Sequence, residues 1–147
     1  MTLPSQIQAC IEAPVIVAPS ILDEAANHFV WLGYEAKKTD DGVDIWQSGR
    51  YSWLVRDFRG GLLFRKIFSA SEAGQKDAQA MVSFANALNV EASLLRFYVD
   101  GKGNLAIESW YPNLYERRSF GRYVGLIDIE LRDLCARRKA QTNWLLA

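Results

Sequence analysis

The chain has 147 residues, half of them hydrophobic and 12% aromatic, and its 17 Lys+Arg are balanced by 17 Asp+Glu, so its formal charge is zero. This composition offsets chain entropy by apolar burial, which excludes a disordered or collagenous chain, and the length is that of one domain. The longest unbroken apolar stretches, 13–18 with Pro14 inside it and 29–32, fall far short of the roughly 20 residues of a membrane-spanning helix.

Residues 1–19 hold Pro4, Pro14 and Pro19 without helical periodicity and read as an extended arm that docks on the body, with a short strand near Val15 to Val17. A first helix starts at Ser20, an N-cap with Asp23 three residues on, and stops at Gly33; Ile21, Leu22, Ala25, Phe29 and Leu32 form its apolar face. Tyr34 to Phe68 is rich in aromatic and β-branched residues and is interrupted by turn signals at Asp40-Asp41-Gly42, Ser48-Gly49-Arg50 and Arg59-Gly60-Gly61. That pattern predicts an antiparallel meander of three or four strands. Within it Tyr51, Trp53 and Val55 share one face, and Ser52, Leu54 and Arg56 the other.

A second helix is expected from about Glu72 to Leu88, ending near Asn89, with Ala78, Met81, Val82, Ala85 and Leu88 on one stripe. Leu94 to Val99 and Leu105 to Tyr111 then form a hairpin around Asp100 to Asn104. Its register follows from the alternation: if Leu95, Phe97 and Val99 are to share a face with Leu105 and Ile107, Val99 opposes Leu105, Phe97 opposes Ile107 and Arg96 opposes Glu108. Pro112 ends the strand, and a long last helix from about Tyr115 to Lys139 carries Phe120, Tyr123, Val124, Ile127, Leu131 and Leu134 at helical offsets, followed by a short tail, Trp144-Leu145-Leu146. The expected organisation is therefore an arm (1–19), a single α+β domain (20–139) and a tail (140–147).

In its order of helix, meander, helix, hairpin and helix, in Asn86-Ala-Leu-Asn89 closing the second helix, and in Phe97-Tyr98-Val99-Asp100 with Gly103-Asn104-Leu105 around the hairpin, the chain resembles the YbjN family of bacterial proteins, labelled sensory transduction regulators. That family shares the fold of class I type III secretion chaperones, and the resemblance covers about residues 20–137. Asn86, Asn89, Asp100 and Gly103 are thus family structural positions. The family often has strongly acidic strand ends after the hairpin, whereas here the exit is Glu108-Ser109-Trp110-Tyr111-Pro112. The resemblance implies a non-enzymatic, homodimeric, cytoplasmic binding module, and by analogy with the chaperones one that holds an extended segment of another protein.

No residue pattern calls for a catalytic centre, cofactor or metal. His28 is the single histidine, with Glu24 four residues before it and no further ligand at metal spacing. Gly101 and Gly103 lie between two strands, and Gly60-Gly61 joins strands likewise, whereas a phosphate loop precedes a helix. Cys10 and Cys135 stand at opposite ends of the chain without paired spacing, and no Lys or Arg precedes Lys37, so reduced thiols in a cytoplasmic protein are expected. Charge is uneven: residues 1–48 carry two basic groups against seven acidic ones, while residues 115–147 carry seven against four. A nucleic-acid site on the last helix would use Arg117, Arg118, Arg122, Arg132, Arg137 and Arg138, but Asp128, Glu130 and Asp133 interrupt that stripe and favour a solvated face.

Five Trp, six Tyr and seven Phe exceed what a small core encloses. Trp46, Trp53, Tyr98, Trp110, Tyr111 and Trp144 are the candidates for a partner-binding or dimer surface. The alternative is that they cover the second sheet face beneath the arm. The expected function is protein binding through an exposed aromatic sheet face or groove; the other reading is nucleic-acid binding by the last helix.

Overall fold

The computed structural model describes residues 20–112 and 116–147; the expected arm, and Cys10 with it, lies outside them. The order is α1 (Ile21–Trp31), β1 (Glu35–Thr39), β2 (Gly42–Trp46), β3 (Trp53–Phe58), β4 (Gly61–Phe68), α2 (Glu72–Lys76), α3 (Ala78–Glu91), β5 (Arg96–Val99), β6 (Leu105–Tyr111), α4 (Arg117–Arg137) and α5 (Lys139–Leu145). The strands make one antiparallel sheet in the order β1-β2-β3-β4-β6-β5. The protein is α+β, as expected.

Local chemistry sets the boundaries. The Ser20 hydroxyl accepts the Asp23 N–H at 3.2 Å and starts α1, and the chain leaves through Gly33 at φ +94°, a conformation that suits a residue without Cβ. The second helix is two helices rather than one. Asp77, at φ −124° and ψ 76°, ends α2 and with its carboxylate accepts the Ala80 N–H to start α3. Met81, Phe84, Ala85 and Leu88 make the buried stripe, while Ala78 and Val82 are exposed. The tail is also revised: residues 139–145 form α5, Leu145 is buried, Leu146 bridges to Ala70, and the Leu145 carbonyl accepts the Ser71 N–H.

One face of the sheet carries the core. Val43, Ile45, Trp53, Val55, Leu62, Phe64, Phe97 and Ile107 meet Phe29 of α1, Phe84 and Leu88 of α3, and Phe120, Val124, Ile127 and Leu131 of α4. Phe64 and Phe120 sit in a ring cluster with Phe29 and Tyr123 at centroid distances of 5.1–6.2 Å. The hairpin register is the expected one, with Phe97 opposite Ile107, Val99 opposite Leu105 and Arg96 opposite Glu108.

Two side chains from the helical layer serve the outer edge of β5 and the residues leading into it. Asn89 donates its amide to the Phe97 carbonyl and accepts the Phe97 N–H, both at 2.8 Å. The Glu130 carboxylate on α4 accepts the N–H groups of Ser93, Leu94 and Leu95. The Asp100 carboxylate accepts from the Lys102 and Asn104 N–H groups, and Gly103 turns at φ +81°, so Asp100 and Gly103 shape the hairpin loop; Asn86 is exposed on α3. Asp128, buried on α4, accepts the Tyr51 N–H at 2.9 Å and pairs with Arg132, pinning the β2–β3 loop.

Candidate functional site

Alternation along the strands puts the other set of side chains on the face away from the helices. There the registers align Lys37, Asp44, Leu54, Arg65, Glu108 and Arg96 in one band across all six strands. On one side of it lie Arg56, Leu63 and Trp110, with Phe58 and Gly61 beyond them; on the other lie Trp46, Ile67, Ala106 and Tyr98. Leu63 and Ala106 are buried apolar side chains outside the helical-side core.

A groove of about 420 Å³ opens on this face, lined by Phe58, Arg59, Leu63, Leu94, Arg96 and Trp110 among others. Its rim is built by the β3–β4 turn. Phe58 opposes Gly61 across a two-residue loop whose members, Arg59 and Gly60, have φ of +49° and +77°. Both being left-handed, the turn follows the twist of the strands it joins. Gly61 leaves room for the Trp110 indole, since a Cβ there would stand 2.6 Å from its Nε1 and 2.2 Å from the Tyr111 carbonyl oxygen. The Trp110 N–H donates to the Phe58 carbonyl at 3.0 Å, and the ring is still 49% exposed. Phe58 has the Arg56 and Arg59 guanidinium groups 5.6 and 5.2 Å from its ring centre.

The floor of the groove holds Glu108, buried and fully engaged. Tyr98 donates to it at 2.7 Å, Arg96 hydrogen-bonds its other oxygen, and Arg65 stands 3.9 Å away. Burial pushes its carboxyl up, but the hydrogen bonds from Tyr98 and Arg96 and the charges of Arg96 and Arg65 outweigh this and hold it below the usual value of 4.5. The carboxylate therefore stays charged, and Arg96 is anchored at one end while 70% of its side chain faces solvent.

Not all the aromatic candidates meet here. Tyr98 and Trp110 flank the Glu108 network, whereas Trp46, 40% exposed, shares the face but stands three strands from Trp110. Trp53 and Tyr111 are corrections: at 2% and 5% exposed they are core residues, because they occupy strand positions in phase with Val55 and Ile107. Trp144 is exposed on α5, beside α2, where its carbonyl accepts the Ser71 hydroxyl at 2.6 Å. Sequence reasoning missed Phe58, Arg59, Leu63 and Leu94; the signal for the first two was the Arg59-Gly60-Gly61 turn itself.

His28 is buried, its ring 5.3 Å from that of Phe120 and 5.7 Å from that of Trp31, and burial, followed by the Arg117 charge, pulls its pKa below 6.5. The adjacent cavity of about 510 Å³ is lined by Asn27, Trp31, Arg117 and Arg118, without a carboxylate among its described lining. Among the described residues, no group of three or more His, Cys, Asp or Glu side chains could hold a metal ion. No helix of the described residues is long and apolar enough to cross a membrane. On α4, Arg132 bonds the Gly49 carbonyl and Asp128, and just past its end Arg138 meets Glu91 and Gln141, so the six arginines do not form one free stripe.

This layout has a structural counterpart. The crystal structure of YbjN from E. coli, a protein provisionally described as a transcription regulator, superposes with a TM-score of 0.70 over 86% of this chain and 95% of its own, at 12% sequence identity. The chain has a YbjN-like fold. No family model matches the sequence and no curated protein is significantly similar to it. At this identity the likeness to YbjN concerns the fold alone.

Proposed function

We propose that this YbjN-like chain is a non-enzymatic regulatory or chaperone-like module that binds another protein through the open face of its sheet, as a cytoplasmic homodimer. One observation carries the reading. The groove places half-exposed Trp110 and Phe58 beside buried Leu63 on a face with no described helix over it, and aromatic side chains that are ordered yet accessible are the anchors of protein interfaces. The description of YbjN as a regulator agrees with a role in binding rather than in bond-making. Self-association is supported by Val30 and Trp31 on α1 and Leu126 and Ile129 on α4, all exposed on the outer side of the helical layer.

The test is a native-cell pull-down with the wild type and Trp110→Ala, together with size-exclusion chromatography and light scattering. A dimer that captures a defined protein, and loses it in Trp110→Ala while its circular dichroism is unchanged, is the expected result. Capture that ignores Trp110, or a strict monomer capturing no protein, overturns the reading; salt-sensitive retention of nucleic acid would move the function to the basic side chains.

A further inference from the structure

We infer that the groove takes an extended acidic peptide, one that lays an apolar side chain on Leu63, Leu94 and Trp110 and carries carboxylates to either side of it. This rests on the open face being the protein-binding surface.

Charge is the first argument. Arg59 and Arg96 line the groove and Arg65 stands beside Glu108: three guanidinium groups against one carboxylate, on a chain whose total charge is zero. That carboxylate is already committed to Tyr98 and Arg96. Among the described residues no carboxylate pairs with Arg59, so the rim offers a planar, bidentate donor to an incoming acid. Backbone geometry is the second. The first position of this turn is cheap for Gly, Asn or Asp, yet Arg59 holds φ +49° there, and a strained non-glycine residue at the lip of a groove points to a task for its side chain.

The floor decides between acidic ligands. Beside Glu108 it is made of Leu63 and Leu94, and two guanidinium groups lie against the Phe58 ring, which leaves Trp110 as the ring of the described lining without a cation on it. A single-stranded nucleic acid needs a succession of free rings for its bases, whereas a peptide needs one apolar seat between charges. Asn89 takes up the Phe97 backbone on the outer edge of β5 and Glu130 takes up the three N–H groups leading into it, so the segment is read by its side chains on the face and not added as a further strand.

Fluorescence anisotropy of the full chain tests this, with a labelled decapeptide alternating Asp with Leu and Phe, its lysine-for-aspartate version, and an oligothymidylate. Arg59→Gly is the variant, since glycine accepts the turn geometry, and a thermal melt confirms that it folds. The acidic peptide should bind, the lysine version should not, and Arg59→Gly should weaken binding roughly tenfold. Equal binding of both peptides, no binding of either, indifference to Arg59→Gly, or tighter Arg59-dependent binding of the oligonucleotide overturns the assignment. If that happens while Trp110→Ala still abolishes capture of the native partner, only the acidic character is lost; if capture ignores Trp110 as well, the protein-binding face falls with it.

Discussion

Asn89 on α3 completes β5 as a neighbouring strand would, its amide group donating to and accepting from the backbone of Phe97 at 2.8 Å in each direction. Asn89→Ala orphans both groups and should cost about 1–2 kcal/mol in urea unfolding, with Asn89→Asp, which keeps only the acceptor, in between. A loss within experimental error would mean that β5 is held by its pairing with β6 and by the Glu130 bonds to the residues before it.

The two faces of the hairpin separate stability from binding. Phe97 is buried beneath the helices, and Phe97→Ala should cost roughly 3–5 kcal/mol, whereas Trp110→Ala on the open face should cost less and weaken partner capture. Calorimetry and pull-down on both variants check this; the reverse ranking would exchange the roles of the faces.

Relief of the left-handed backbone at Arg59 should be visible in folding. Arg59→Gly should leave the unfolding free energy unchanged or raise it by up to about 1 kcal/mol, because glycine has no Cβ to strain although the contact with the Phe58 ring is lost. A stabler protein that binds its peptide less well is the signature of a residue kept for function.

Glu108 sets an acid limit. Its folded-state pKa lies below the ordinary 4.5, so the unfolded chain takes up its proton first; the contribution is complete above about pH 4.5 and is lost as the pH falls through the depressed value. Chemical denaturation at pH 7, 5, 4 and 3 should show stability declining below 4.5, and Glu108→Gln should flatten that decline. An equal slope in both proteins would assign it to other carboxylates.

The docking of α5 can be tested at Gly74, where a Cβ would lie 2.3 Å from the Leu145 carbonyl oxygen. Gly74→Ala should destabilise by about 1–3 kcal/mol through displaced backbone; a neutral result would show that α5 packs more loosely than this contact requires.

How much of this was legible varies with the physics of each element. The hairpin register followed from alternation alone, because a slip by one residue would have turned Phe97 and Ile107 away from the helices. The break at Asp77 was not legible: in an alanine-rich stretch an aspartate reads as a helix surface residue, and only its capture of the Ala80 N–H makes it a cap. Trp53 and Tyr111 were misplaced because a surplus of aromatics says that some rings reach the surface but not which ones; phase with Val55 and Ile107 was the available clue. The groove was least legible, since Phe58, Leu63, Leu94 and Trp110 come from four separate segments that only the order β3-β4-β6-β5 and the loop before β5 bring side by side.

The two borders of the sheet bear on how the protein behaves when concentrated. On one side Asn89 and Glu130 consume backbone groups of β5 and the residues leading into it, and on the other β1 presents Glu35, Lys37 and Lys38 to solvent. Charged or occupied borders oppose strand-by-strand accretion of further copies, so this fold can keep a sticky broad surface without seeding fibrils from its flanks.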